Sequence, residues 1–159
     1  MKNINKWSPT KFELNNGHYR AGRGKDGCWF ASRLNVDILA SFYEKYLPLY
    51  ARGRLVDLGC GKVPLFEMYR NYVSEIICVD WSDSLHLNQH LDLECDLSKE
   101  LPFANEEFET IVLSDVLEHI ACPELLWSEM RRILSPGGKI ILNVPFFYLL
   151  HETPHDFYR

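Results

Sequence analysis

Three short stretches, residues 54–59 (RLVDLG), 75–80 (EIICVD) and 110–115 (TIVLSD), are almost continuously apolar, rich in Val and Ile, and carry an acid near or at their ends; a fourth, residues 138–144 (GKIILNV), closes on Asn143 and Val144. A strand with one wet face alternates apolar and polar side chains, whereas a strand apolar on both sides must be covered on both. The runs therefore predict parallel strands buried between layers of helix.

The segments between the first and second runs, and between the third and fourth, have helical spacing. After Pro123, Leu126, Met130, Ile133 and Leu134 make one stripe, and Ser135-Pro136-Gly137-Gly138 predicts the helix stop. Upstream, Val36, Ala40, Tyr43, Leu47 and Tyr50 recur at helical intervals and predict an amphipathic helix from about Arg33 to Tyr50. Leu91, Leu93, Cys95 and Leu97 alternate with acids, which suits a half-exposed edge strand before a turn at Leu101-Pro102-Phe103. The order is β-α-β-β-α-β with crossovers, the signature of an open, doubly wound α/β sheet. Residues 1–32 are polar and aperiodic and read as an N-terminal arm or lid, with the domain proper over 33–159.

A length of 159 residues suits one domain with a real core. The net charge of −5 offers no general field for nucleic-acid phosphates or anionic lipid, so nucleic acid is not the expected partner. Arg20, Arg23 and Lys25, interleaved with glycines, are either a local basic patch or a solvated loop. Cys28, Cys60, Cys78, Cys95 and Cys122 show neither a CxxC pair nor a disulfide framework, which fits a reducing cytoplasm. No run approaches the roughly 18 apolar residues of a membrane span, and no signal-peptide core is visible. The expectation is a soluble cytoplasmic protein.

Ligands of open α/β sheets bind outside the carboxyl ends of the strands. Those ends carry Asp57 with Gly59 and Gly61, Asp80 with Trp81, Asp96, Ser114 with Asp115, and Asn143 with Pro145. Gly59 and Gly61 let the backbone pass close beneath a ligand, although a bare strand-to-helix turn explains a lone GxG equally well. Asp80, 23 positions after Asp57, stands where an acid accepts both hydroxyls of a ribose. Gly61 is followed by Lys62, Val63 and Pro64, so the third glycine of a pyrophosphate-binding G-x-G-x-x-G turn is missing. A nucleoside cofactor without phosphates fits better, and acids around the crevice suit a sulfonium and an ammonium group.

VDLGCGK, ICVD, CDLSKELPF, EEFETIVLSDVLEHI and RRILSPGGKIILNVPF, in this order and spacing, together resemble the class I S-adenosylmethionine-dependent methyltransferases, particularly the type 11/12 group, over about residues 54–159. The expected fold is thus Rossmann-like and mostly parallel, with five strands in the order 3-2-1-4-5. The resemblance implies that the turn of Asp57, Gly59, Cys60 and Gly61 lines the methionine part of S-adenosylmethionine and that Asp80 holds the ribose hydroxyls. It further implies that Trp81 flanks the adenine, that Asp96 with the Leu97 backbone reads the adenine amino edge, and that Ser114 approaches the sulfonium. The sequence departs from the group in stopping about fifteen residues after Val144, which leaves no room for the usual strands 6 and 7. The departure implies either a truncated product or another surface, such as a second subunit, covering the fifth strand's edge.

Methyl transfer is an in-line displacement on an activated sulfonium, so positioning supplies much of the rate and a base is needed only where the acceptor must lose a proton. If the segment after strand four is helical, Asp115, Glu118 and His119 project on one side. Glu118 and His119 then form a structural hydrogen-bonded pair, or His119 serves as general base for a hydroxyl acceptor, or the cluster binds a divalent metal with His151 or His155. The D-x-x-E-H spacing is similar to metal-dependent small-RNA 2′-O-methyltransferases and ubiquinone-pathway O-methyltransferases, which have glutamate in place of Asp115. That shorter side chain weakens the match, and no metal is expected. In the tail HETPHDFYR, His151, His155, Asp156 and Tyr158 are candidates to meet the acceptor, with His155 joining His119 as a catalytic candidate. Tyr19, Arg20 and Arg23 of the arm are placed to close over the crevice. The expected activity is methyl transfer from S-adenosylmethionine, with S-adenosylhomocysteine as product, to an oxygen or nitrogen of a small-molecule or sugar-like acceptor. The alternatives are a cofactor-binding but inactive partner subunit and a metal-dependent RNA O-methyltransferase.

Overall fold

The computed structural model describes residues 1–24, 27–81, 89–145 and 157. In chain order its elements are β1 (Phe12–Asn15), β2 (His18–Ala21), α1 (Arg33–Tyr50), β3 (Arg54–Leu58), α2 (Phe66–Tyr69), β4 (Glu75–Asp80), β5 (Leu93–Glu94), β6 (Phe108–Ser114), α3 (Pro123–Ile133) and β7 (Leu134–Asn143), with short 3-10 turns between some of them. Strands β3 to β7 form one sheet in the order β5-β4-β3-β6-β7, every pair parallel. Counted within the sheet alone, this is the order 3-2-1-4-5.

The continuous apolar runs are explained by what covers each face. Leu55, Cys78, Val112 and Ile141 pack with Val36, Ala40, Tyr43 and Leu47 of α1 and with Phe66 and Tyr69 of α2. Their sequence neighbours Val56, Val79 and Ile111 pack on the other face with Leu126, Met130 and Ile133 of α3. Consecutive residues of one strand thus enter different cores, so neither can be polar. Helix α1 has the predicted limits, but its buried stripe ends at Leu47, and Tyr50 is exposed. Among the described residues no helix is long and apolar enough to cross a membrane.

Three local expectations change. Strand β5 is only two residues long, because Asp92 and Asp96 turn their carboxylates onto the backbone amides of Cys78 (2.8 Å) and Ser98 (2.9 Å). Helix α3 stops at Ile133, just ahead of Ser135 to Gly138 as expected, but those residues then bulge out of β7: Phe108 pairs with Leu134 and Thr110 with Lys139, so the extra residues loop out between two ladder contacts. Gly137 sits at φ 77°, and its carbonyl accepts a 2.7 Å bond from Arg52.

The third change is the arm. Residues read as aperiodic form an antiparallel hairpin in which Phe12 faces Ala21 and Asn15 faces His18. Its turn is Asn16-Gly17, with φ of 50° and 84°, the left-handed pair a two-residue hairpin loop requires. Phe12 and Ala21 are buried in the α1-side core, and the Phe12 ring meets Tyr43 edge-on at 6.0 Å. The Ala21 amide donates to Asp37 of α1 at 2.7 Å, and the Trp7 indole donates to the Val63 carbonyl at 2.9 Å. The hairpin is therefore an integral wall of the domain. Phe12→Ala is expected to lower the unfolding free energy by about 3 kcal/mol, as for a core aromatic, measured by urea denaturation; a detached arm would change by less than about 0.5 kcal/mol.

Candidate functional site

Strand β3 ends at Leu58, and the chain must reverse at once to lay α2 against the sheet. The Gly59 and Cys60 amides both donate to the Val79 carbonyl of β4, at 2.8 and 3.0 Å. The next amide, Gly61, donates to Asp80 Oδ2 at 2.9 Å, and Trp81 donates to Asp80 Oδ1 at the same distance. Gly59 has φ 69°, and a Cβ there would stand 2.4 Å from Val116 Cγ2, so conformation and space both demand glycine. The Cys60 side chain is buried; its thiol, beside Cys78 and out of water, is held well above the ordinary thiol range.

Two carboxylates stand at this turn. Asp80, nearly buried, accepts one amide on each oxygen. Asp57 is buried and accepts the Tyr69 hydroxyl at 2.9 Å. Burial pushes its pKa up to about 7, the Tyr69 bond opposes this, and the Asp80 charge adds to it. Three successive turn amides are thus satisfied within the protein. They do not face an incoming anion as in a phosphate-binding loop.

Around the rim, Trp81 is 40% exposed. Asp96 caps its own turn, accepting the Ser98 amide and pairing with Lys99 at 3.0 Å; the Ser98 bond, then Lys99, hold its carboxyl below the usual range. Leu97 is buried with the α3-side core, which leaves only its backbone for a ligand.

The ends of β6 and β7 make a second cluster. Ser114 donates to Asp115 Oδ2 at 3.2 Å, and Asn143 Nδ2 donates to Asp115 Oδ1 at 2.6 Å. Lys11, one residue before β1, forms an ion pair with the same Asp115 Oδ2, while the buried Tyr43 hydroxyl donates to Asn143 Oδ1. Asp115 has φ 53°, left-handed backbone that α-helices do not contain. The expected helical face of Asp115, Glu118 and His119 is therefore replaced by a break at Asp115 and a short 3-10 turn, Leu117–His119. Glu118 is fully buried, and neither oxygen meets a hydrogen-bond donor among the described residues. Burial raises its pKa to about 7 and the Asp115 charge adds to this; its own amide, short of hydrogen-bond geometry, and then His119 and Lys11 pull it back. His119 Nε2 lies 3.8 Å from Glu118 Oε1, too far for a hydrogen bond. Among the described residues no three His, Cys, Asp or Glu side chains gather as a metal-ligand set. His151, His155, Asp156 and Tyr158 lie outside the described residues.

The structure thus brings Asp57, Gly59, Cys60, Gly61, Asp80 and Trp81 into one turn and Ser114 into a network with Asp115. It leaves Asp96 occupied by its own turn. Lys11 and Tyr43 were not foreseen as part of this network. Tyr43 was visible as a core stripe residue whose hydroxyl needed a partner, but nothing local links Lys11 to a residue 104 positions away.

The model of the family described as "Methyltransferase domain" matches residues 56–142. The chain is 29% identical to a ubiquinone biosynthesis O-methyltransferase of Cereibacter sphaeroides over 113 residues, 65% of this chain and 44% of that protein. It is 29% identical to ribosomal RNA large subunit methyltransferase G of Yersinia pestis over 132 residues, 70% of this chain and 33% of that protein. It therefore spans less than half the length of either relative. Among solved structures, an S-adenosylmethionine dependent methyltransferase from Mesorhizobium loti superposes with a TM-score of 0.53 at 24% identity, over 65% of this chain and 51% of that one.

The turn geometry makes a checkable demand. Gly59→Ala is expected to cost about 2–4 kcal/mol, from the left-handed backbone and from overpacking on Val116. Adding Val116→Ala should restore the steric part alone. A double-mutant cycle by thermal unfolding that showed no coupling between the two positions would contradict the packing described.

Proposed function

We propose that this chain, which belongs to the methyltransferase-domain family, the class I S-adenosylmethionine-dependent methyltransferases, transfers a methyl group to an oxygen or nitrogen of a small-molecule or sugar-like acceptor. One observation carries the cofactor reading: the glycine-turn amides are consumed by Val79 and Asp80, and Asp57 and Asp80 supply negative charge there. Such a turn repels a pyrophosphate and suits a nucleoside bearing cations.

When bound, S-adenosylmethionine supplies a methyl carbon already activated by its positive sulfur. In this reading Asp80, fixed by the Gly61 and Trp81 amides, accepts the ribose hydroxyls. The Asp57 carboxylate beneath the turn offsets the positive charge of the methionine part, and Gly59 lets the ligand approach the backbone. The exposed Trp81 ring stacks on the adenine, whose amino edge meets Asp96 and the Leu97 backbone once Lys99 gives way. Ser114 lies toward the reacting centre. His119 takes the proton of a hydroxyl acceptor, with His155 as the second candidate. A small acceptor is favoured over RNA because the net charge of −5 provides no general field for a phosphate backbone.

Calorimetry tests the reading. S-adenosylmethionine and S-adenosylhomocysteine should bind and NAD should not; Asp80→Asn should weaken binding by at least about tenfold, the scale of one charge-assisted hydrogen-bond pair. Absence of binding, or NAD competing at the same site, overturns it. Because the Asp57 pKa is about 7 in the free chain, its carboxyl is mostly protonated at pH 6 and mostly ionised at pH 8. A cationic ligand prefers the ionised form, so affinity for S-adenosylmethionine should rise with pH by up to about tenfold across that range, and Asp57→Asn should flatten the rise.

A further inference from the structure

We propose that Trp29, Phe30, Leu34 and Ile38, flanked by Arg20, Arg23 and Arg33, form a surface that docks on an anionic phospholipid bilayer. The surface lies outside the crevice, so the docking and the methyl-transfer reading stand or fall separately.

The 3-10 turn Phe30–Ser32 runs directly into α1. Phe30, Leu34 and Ile38 follow at intervals of four, so they share one side of the helix, with Trp29 at its head. The opposite side, with Val36, Ala40, Tyr43 and Leu47, is the one buried in the domain. On the outer side Trp29 is 73%, Phe30 79%, Leu34 71% and Ile38 62% exposed. The two aromatic side chains alone leave about 300 Å² open to water, which is already the size of the largest apolar patch on an ordinary monomer. Leu34 and Ile38 extend it. A helix whose inner face is covered by its own domain and whose outer face is still apolar marks a second contact.

Charge complementarity selects the occupant. Residues 17–36 hold Arg20, Arg23, Lys25 and Arg33 against a single acid, Asp26, in a chain whose net charge is −5. The acids flanking that segment, Glu13 and Asp37, are engaged by the backbone amides of Arg23 and Ala21, at 3.1 and 2.7 Å. The Ala21 bond ties the strand carrying Arg20 to the residue before Ile38. The Cys28 amide donates to the Gly22 carbonyl at 2.8 Å, which ties the turn carrying Arg23 to the residue before Trp29. Arg33 lies over the Phe30 ring, 5.4 Å from its centroid, and Arg20 and Arg23 are exposed. At a bilayer surface, aromatic and aliphatic side chains enter the boundary between headgroups and acyl chains while guanidinium groups bond the phosphates outside it. A second copy of this chain fits worse, because pairing the patch with itself sets arginines against arginines. Stacked nucleotide bases fit worse too, because Leu34 and Ile38 offer them no π face.

The test uses the full chain with mixed phosphatidylcholine and phosphatidylglycerol vesicles, and pure phosphatidylcholine vesicles as the neutral counterpart. In a flotation assay the chain should rise with the mixed vesicles and bind the neutral ones at least about tenfold more weakly, because several arginines meet anionic headgroups only in the first. Trp29→Ser with Phe30→Ser should weaken binding to the mixed vesicles at least about tenfold, through the apolar area lost from the contact. Leu34→Asn with Ile38→Asn provides the same comparison should the first pair fail to fold, with folding checked by thermal unfolding. Trp29→Phe should keep the flotation but lose most of the blue shift in tryptophan emission that the unaltered chain shows on mixed vesicles. Leu49→Asn, exposed on α1 but outside the patch, should leave binding unchanged. No flotation with mixed vesicles, equal flotation with neutral ones, or flotation that survives both paired substitutions would each overturn the proposal. So would a dimer in analytical ultracentrifugation, or binding of a single-stranded oligonucleotide, that the same substitutions abolish, since either gives the patch a different occupant.

Discussion

The Val79 carbonyl and the Asp80 carboxylate accept three successive amides from the turn after β3, and the rest of the crevice depends on that arrangement. A parallel strand that stops and reverses leaves amides pointing into space, and in a phosphate-binding loop the ligand satisfies them. Here the neighbouring strand does so. The turn is complete without a ligand, β3 and β4 are locked in register at their functional ends, and Asp80 is aimed by the same bonds that close the turn. The arrangement also explains the glycine at 59: the backbone runs so close to Val116 that a methyl group has no room.

The parts of this fold that were legible in the sequence are those in which one physical requirement repeats along the chain. Helix α1 met its predicted limits because Val36, Ala40, Tyr43 and Leu47 must all face the same sheet. The sheet strands were legible because their apolar residues enter two cores, one on each face of the sheet. The hairpin was not, although Asn16-Gly17 is a strong turn signal, because only Phe12 and Ala21 of its two short strands are buried and no alternation survives. The Ser135–Gly138 segment follows the end of α3 at Ile133 as predicted, but its place as a bulge inside β7 was not legible, for a related reason. Pro and Gly mark a departure from regular backbone, and a bulge within a strand satisfies that signal as well as a helix stop does.

Within the candidate site, the acids at the strand ends were legible because topology alone places them at the crevice. Their partners were not. Asp96 carries the same sequence signal as Asp80, yet its carboxylate turns to Ser98 and Lys99, both supplied by the next three residues. The Asp115 cluster depends on a contact across 104 residues and on a left-handed backbone at Asp115, which no side-chain spacing reveals. A helical reading of D-x-x-E-H therefore brought together on paper three side chains that the chain separates with a break.

Asp57 and Glu118 place two carboxyls where burial works against their charge, each with a pKa near 7. The sign of the consequence follows from linkage. The folded chain keeps these protons up to about pH 7, whereas an unfolded chain releases them near pH 4, so their contribution to stability is full below the unfolded value and is lost as pH rises through the folded one. At neutral pH the free protein therefore carries a destabilising tendency at both carboxyls, and at Asp57 the function proposed above brings positive charge, the sulfonium cofactor. A ligand bearing positive charge relieves that tendency by favouring the ionised forms. On this view the electrostatic selectivity of the site resides less in any single contact than in a buried carboxylate, Asp57, whose ionisation a cation favours.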